Sequence, residues 1–311
     1  MNAAGRTSTR IVSAMLAVGA VAGIGWYASG ERPGGAAPAG VAAPAPVKPK
    51  APDPTLRSGL LKNRELPVER YLVSYADAST EKAALLKSVQ ACMARYGLTY
   101  EPPSTDGAIP PPSDNSANLE RRYGLADKAS AEQWGYELPG GRQELPAWER
   151  TPAQMDALYG KDAEGKVLET INGLPVPKGG CSAEAAGEVG RQDEEAVSDV
   201  NAESFKEALD EPAVQKSLGD WSACMKTRGY EYKTPFEITQ GPKEEDWGSS
   251  PEAKKVAVDE VECKQSTGLL DVWFATESRI QEQKITAKKA VLERAKQHNQ
   301  SVVLRSRAAL R

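Results

Sequence analysis

Apolar positions in this chain come in short stripes at helical spacing, separated by stretches where Pro, Gly and acidic residues break the pattern. Leu85, Val89 and Cys92 recur every three or four residues, as positions on one helix face do, and predict a helix over 79–96 capped by Asp77 or Ser79. Val214, Leu218, Trp221 and Cys224 repeat that stripe after Pro212, a residue suited to the first helical position. Both stripes run into nearly the same phrase, Ala91-Cys92-Met93-Ala94-Arg95-Tyr96-Gly97-Leu98-Thr99-Tyr100 and Ala223-Cys224-Met225-Lys226-Thr227-Arg228-Gly229-Tyr230-Glu231-Tyr232. Glycine enters the left-handed conformation that ends helices without a Cβ penalty, so Gly97 and Gly229 read as stops. Each cysteine, about one turn earlier on the stripe, then points inward.

Further helices are expected over 251–266, where Val256, Cys263 and either Asp259 or Glu260 share a face, and from Cys181 onward, after Val176-Pro177-Lys178-Gly179-Gly180. From 269 to 304, Leu270, Trp273, Phe274, Ile280, Val291, Leu292 and Val303 are spread among Glu, Gln, Lys and Arg with no Pro or Gly, which predicts one long helix or coiled-coil arm. Residues 121–127 and 132–139 read as a short helix bounded by turns, and 110–118 as a loop. Asn172-Gly173 between Glu169-Thr170-Ile171 and Leu174-Pro175-Val176 signals a hairpin. The expected fold class is mainly α with a small β-hairpin, made of disulfide-stapled helical modules and a long C-terminal helix.

Phe, Leu, Ile and Val are sparse beside Ala, Gly and Pro, so the core is modest and covalent staples add usefully to it. Four cysteines allow three pairings. The duplicated phrase favours Cys92 with Cys181 and Cys224 with Cys263, one staple in each of two modules, 58–190 and 191–268, followed by a basic helix over 269–311.

The N-terminus supports this oxidised chemistry. Residues 1–10 carry Arg6 and Arg10 and are expected in the cytoplasm, while 11–30 are uncharged and end in Trp26 and Tyr27, suited to the far interface. That length matches a spanning helix of about 20 residues, yet Ala28-Ser29-Gly30 is also a tolerable cleavage site, so 11–30 is a transmembrane anchor or a signal peptide. Residues 31–57 form a Pro/Ala-rich linker suited to a stalk. No cysteine precedes Cys92, which excludes a lipidated start, and the Gly19/Gly23 spacing is what a Gly- and Ala-rich segment gives by composition. The localisation implied is the cell membrane, single-pass with an extracytoplasmic C-terminal domain, or secretion if the segment is cleaved.

The formal net charge is −4, but Arg279 to Arg311 carry nine Lys or Arg against two Glu. Such a helix could meet anionic lipid, an anionic wall polymer or an acidic envelope protein, assemble the chain into an oligomer, or present a solvated face. Chemistry is thin. The single histidine, His298, has no neighbouring Asp or Cys to orient it, and Cys-x-x-Cys and zinc spacings are missing. Lys178-Gly179-Gly180 lacks the strand and Lys-Ser/Thr of a phosphate loop. Glu184 and Glu188 are a carboxylate pair that also fits an ordinary helix surface. Tyr123, Trp134, Tyr136 and Trp148 lie where regular periodicity is weakest and are the candidate binding surface, the alternative being that they fill a thin core. No cofactor, metal or nucleic-acid partner is expected.

Tyr71 to Tyr75 before a helix, the Cys92-Met93 phrase, Arg121-Arg122-Tyr123-Gly124, Gly135-Tyr136-Glu137-Leu138-Pro139, Val176-Pro177-Lys178-Gly179-Gly180-Cys181 and Trp221-Ser222-Ala223-Cys224-Met225 occur in this order over roughly 70–285. In this the chain resembles uncharacterised exported, lipoprotein-like proteins of high-GC actinobacteria. The resemblance implies an envelope location and paired cysteines, but no activity; the missing lipidation cysteine is a departure from it. Together these readings predict a membrane-tethered extracytoplasmic binding or scaffolding protein of the cell envelope, the alternative being an enzyme or enzyme accessory acting on wall carbohydrate.

Overall fold

The computed structural model describes residues 57–103, 113–139, 147–240 and 247–311. The expected cytoplasmic N-terminus, the 11–30 anchor or signal and nearly all of the 31–57 linker lie outside the described residues. Among the described residues no helix is long and apolar enough to cross a membrane.

The fold is helical. Helix α1 (Tyr75–Arg95) begins at Tyr75 rather than Ser79, because Ser74 is the cap: its hydroxyl accepts the Asp77 N–H at 3.2 Å. Two short helices, α2 (Leu119–Arg122) and α3 (Lys128–Trp134), stand where one was expected, parted by Gly124 at φ 79. Helix α4 (Pro152–Tyr159) is followed by a hairpin of β1 (Thr170–Ile171) and β2 (Leu174–Pro175). Asn172 and Gly173 turn it at φ 52 and 76, as a two-residue hairpin turn with both φ positive requires. Then come α5 (Gly180–Val189), α6 (Glu195–Asp210), α7 (Pro212–Thr227), α8 (Pro251–Thr267) and α9 (Leu269–Leu310).

The repeated phrase closes both of its helices identically. Gly97 and Gly229 sit at φ 72 and 92. The Leu98 and Tyr230 amides each reach back to a methionine carbonyl, Met93 and Met225, at 3.1 Å, while the glycine amides bond Ala94 and Lys226 at 3.0 Å. This is the Schellman pattern, which satisfies carbonyls that a helix end leaves open. A Cβ added to either glycine meets nothing within 4 Å, so alanine there probes the backbone alone. Gly97→Ala and Gly229→Ala are each expected to lose about 1–2 kcal/mol in denaturant unfolding, with asparagine costing less than alanine; a neutral alanine would show that the helix end can relax.

Cys92 is bonded to Cys181, tying α1 to α5, and Cys224 to Cys263, tying α7 to α8, with Cα–Cα distances of 5.6 and 5.7 Å. Closing loops with separations of 89 and 39 residues contributes about 4.5 and about 4 kcal/mol in the chain-entropy picture. The staples lie in different apolar clusters. Cys92, Met93, Tyr96, Leu158, Cys181 and Ala185 make the smaller one; Trp221, Met225, Ile238, Val256, Cys263 and Trp273 belong to the larger. Packing does not follow sequence order, however. Leu61, Leu66, Val68, Leu119 and Tyr123, which the sequence placed with the first staple, belong to the core around the second, and the described residues all fall in one compact unit.

Helix α9 is what joins the clusters. It has 42 residues and runs about 63 Å. Along it Leu270, Trp273, Glu277, Ile280, Ile285, Leu292, Ala295, Asn299, Val302 and Ser306 are buried. That stripe packs against α1, α6, α7 and the 3-10 turn Pro67–Tyr71. The C-terminal helix is therefore the internal spine of the fold. The expected coiled-coil arm is corrected in this respect, because its apolar seam is already covered by the same chain.

Candidate functional site

The four aromatic residues singled out as a binding surface do not converge. Tyr123 is fully buried, its ring 5.1 Å from that of Trp273 and 6.4 Å from that of Phe205. Tyr136 is half-buried, stacks on Trp247 at 5.5 Å and donates its hydroxyl to Glu260 Oε2 at 2.7 Å. Trp134 is half-buried at the end of α3. Trp148 belongs to the other cluster, edge-on to Tyr100 at 5.3 Å with the Arg150 guanidinium 4.9 Å from its ring.

Buried charges with displaced pKa values are a second place to seek function, and two networks of them brace the larger core. In the first, Glu277, fully enclosed, pairs with Arg122 and accepts from the Tyr123 hydroxyl at 2.7 Å, Ser204 Oγ at 3.1 Å and Gln281 Nε2 at 3.1 Å. Arg122 also donates to the carbonyls of Ala117 at 3.0 Å and Asn201 at 2.7 Å. Burial beside this carboxylate pushes the Tyr123 phenol well above its ordinary range. In the second, Lys264 pairs with Glu260 and donates to the Leu125 carbonyl at 2.8 Å, while Glu260 also accepts from the Leu125 amide at 3.2 Å. Burial lowers the Lys264 pKa, and burial first, then the Glu260 charge, raises that of Tyr136. Every charged group here is partnered inside the protein, so these networks are struts rather than a reaction centre.

The other chemical candidates are also tied down. Glu184 accepts twice from Arg95 at 2.7 Å and Glu188 accepts from Ser88, both across the α1–α5 face. The ring of His298 bonds the Arg191 carbonyl at 2.9 Å. Among the described residues no group of three or more His, Cys, Asp and Glu could hold a metal ion.

A groove of about 440 Å³ lies between residues 70–73, the start of α1 and the last third of α9. Tyr71, Leu72, Val73, Val303 and Leu304 give it an apolar lining, and Leu304 is 66% exposed. Around this lie three cations. Arg70 grips Glu282 through two bonds at 3.1 and 3.2 Å, and Arg307 reaches Asp77 at 2.8 Å. Lys296 differs: its ammonium lies 5.5 Å from the Tyr71 ring centroid and has no carboxylate partner among the described residues. The Tyr71 hydroxyl is fixed by donation to Glu293 at 3.0 Å, and the Asn299 amide is consumed by both backbone groups of Asp193, at 2.7 and 2.9 Å. The groove is thus a formed apolar trough with a cation over an aromatic face that has no carboxylate partner among the described residues. The basic tail was visible in the sequence, but not its division: Arg279 pairs with Glu211, Lys284 with Glu203 and Glu207, and Lys288 approaches Asp199.

Comparison with known protein families, curated proteins and solved structures finds no match to this chain.

Proposed function

We propose that this chain is a binding protein of the bacterial cell envelope, held to the membrane by residues 11–30 and spaced from it by the 31–57 linker, whose groove between residues 70–73 and α9 receives an anionic envelope component. The observation that carries this reading is Lys296, a cation without a carboxylate partner among the described residues, in a groove whose apolar walls weaken solvent screening of its charge. The envelope location rests on the N-terminal sequence and on the resemblance to exported actinobacterial proteins. Hydrolysis of wall carbohydrate fits the groove less well, because its one lining carboxylate, Asp77, is engaged by Arg307 and two free carboxylates are needed.

The reading is tested by co-sedimentation of the full-length chain in detergent micelles with purified anionic wall polymer. Lys296→Glu is expected to weaken binding about tenfold, a loss near 1.4 kcal/mol, and binding is expected to weaken as salt shortens the screening length. Equal binding by the variant and the parent would overturn it.

A further inference from the structure

The groove between residues 70–73 and α9 is charged at one end and apolar along the rest. At the charged end two cations meet on one ring: the Arg70 guanidinium lies 5.3 Å and the Lys296 ammonium 5.5 Å from the Tyr71 ring centroid. Glu282, which offsets Arg70, and Glu293, which accepts the Tyr71 hydroxyl at 3.0 Å, both lie outside the lining. Among the lining residues Arg70, Lys296 and Arg307 stand against one carboxylate, Asp77. Beyond Tyr71 the lining turns apolar. Leu72 and Val73 lie on one side, and on α9 Val303, 8% exposed, is followed by Leu304, 66% exposed, so the apolar surface runs from the interior out to solvent.

The shape of the space narrows the occupant. Its lining positions on α9 are 296, 299, 300, 303, 304 and 307, one helix face over about 17 Å. A sphere of that diameter would hold several times the 440 Å³ present, so the space is long and narrow. It suits a chain better than a ring, and charge at one end suits an anionic head on an apolar tail. A polyanion repeats its charge and calls for cations along the whole trough, yet the cation farther along, Arg307, is bonded to Asp77 at 2.8 Å. We propose that the groove seats an anionic membrane phospholipid, its headgroup at Lys296 and one acyl chain along Leu72, Val73, Val303 and Leu304. This rests on the reading of the groove as an anion site and names the component. The same reading supplies the source: the 31–57 linker, at about 3.1 Å per residue when extended, keeps its far end within about 84 Å of the anchor. Tethering makes the encounter intramolecular, so a weak site is still occupied. One cation attracts an anionic headgroup modestly, and the apolar wall adds the burial of the chain.

The experiment places the full-length chain in phosphatidylcholine nanodiscs with a trace of phosphatidylglycerol, or of phosphatidylcholine, carrying a photoactivatable diazirine in one acyl chain. Adducts are mapped by mass spectrometry, and those within 11–30 are left out of the count. Residues 70–73 and 296–307 are expected to be labelled at least about fivefold more by the anionic lipid than by the zwitterionic one. Lys296→Glu is expected to remove that preference. Leu304→Gln, neutral and at an exposed position, is expected to lower groove labelling at least about threefold and to leave co-sedimentation with wall polymer unchanged. Thermal unfolding of both variants is expected to match the parent, which ties the losses to the groove. Labelling that is missing from the groove, equal from the two lipids or undiminished in Leu304→Gln would each overturn the phospholipid. Polymer binding that still depends on Lys296 would then keep the anion site, and its absence would remove both. A groove covered by a second copy would show a dimer in sedimentation and no lipid adducts, which overturns the assignment as well.

Discussion

Glu277→Ala is expected to destabilise the protein by about 3–5 kcal/mol, the range for a buried ion pair that loses one partner. Glu277 is fully enclosed, and the side chain of Arg122 is 8% exposed. Removing the carboxylate strands the guanidinium beside the Phe205 ring, 5.0 Å away, with only the Ala117 and Asn201 carbonyls to hold it. It also strips the Tyr123 hydroxyl of its acceptor in the middle of the larger core. The cost therefore comes from what is left behind, and this gives the test its sharp form. Arg122→Met/Glu277→Leu removes both charges and is expected to cost far less than the sum of the single variants, since apolar replacement of a whole buried pair is often near neutral. Urea unfolding of the four proteins, disulfides intact, gives the coupling directly. A loss below about 1 kcal/mol for Glu277→Ala would place the pair in the range of solvent-exposed bridges and remove it as a strut.

This network also shows where the sequence stops being legible. Local signals carried far: the Asn172-Gly173 hairpin, the Pro212 start and the paired glycine stops are set by residues adjacent in the chain, and the duplicated phrase pointed to the pairing of the staples. Helix α4 was not expected: a capping box, Thr151 with Gln154, and a left-handed Gly160 bound it, but with only Ala157 and Leu158 buried it shows little apolar periodicity. Helix α6 hides its stripe of Val197, Val200, Ser204 and Ala208 because one member is polar. Glu260, Lys264, Glu277 and Gln281 look like a solvated helix face, yet all are buried. What buries them is distant: Arg122 lies 155 residues before Glu277, and Leu125 lies 139 before Lys264. The groove is harder still, because residues 70–73 and the start of α1 must first be brought against residues near 300 of α9. The aromatic residues were conspicuous as types, but a tyrosine hydroxyl directed at a buried carboxylate, as in Tyr123 and Tyr136, cannot be told from one facing solvent until the carboxylate's position is known.

Truncation after Thr276 is expected to abolish cooperative unfolding altogether. If α9 were an appended arm, this cut would leave a folded body and change only association. As the spine, it carries Ile280, Ile285, Leu292, Val302 and Val303 into the interior. At about 1.5–3 kcal/mol for each side chain buried, their loss is comparable to the whole stability of a typical domain, about 5–15 kcal/mol. The cut also removes Glu277 and Gln281, leaving Arg122 and the Val68 amide without their partners, and uncovers the inward faces of α1 and α6. The expected readout is loss of the sigmoidal thermal transition and of near-ultraviolet dichroism, with aggregation in sedimentation. Removing only the residues after Ser306 is the control, expected to keep the transition, since Arg307 and Leu310 are exposed and what is lost is the Arg307–Asp77 pair and the exposed bond from Lys87 to the Ala309 carbonyl. The same sedimentation runs bear on assembly through α9. Val291, Leu304 and Leu310, 43%, 66% and 39% exposed, are large apolar residues of its second half left for a second copy, so a contact there is expected to respond to Leu304→Lys without unfolding the protomer. A folded, cooperative product from the Thr276 truncation would instead return α9 to the status of an arm and require the core to close without it.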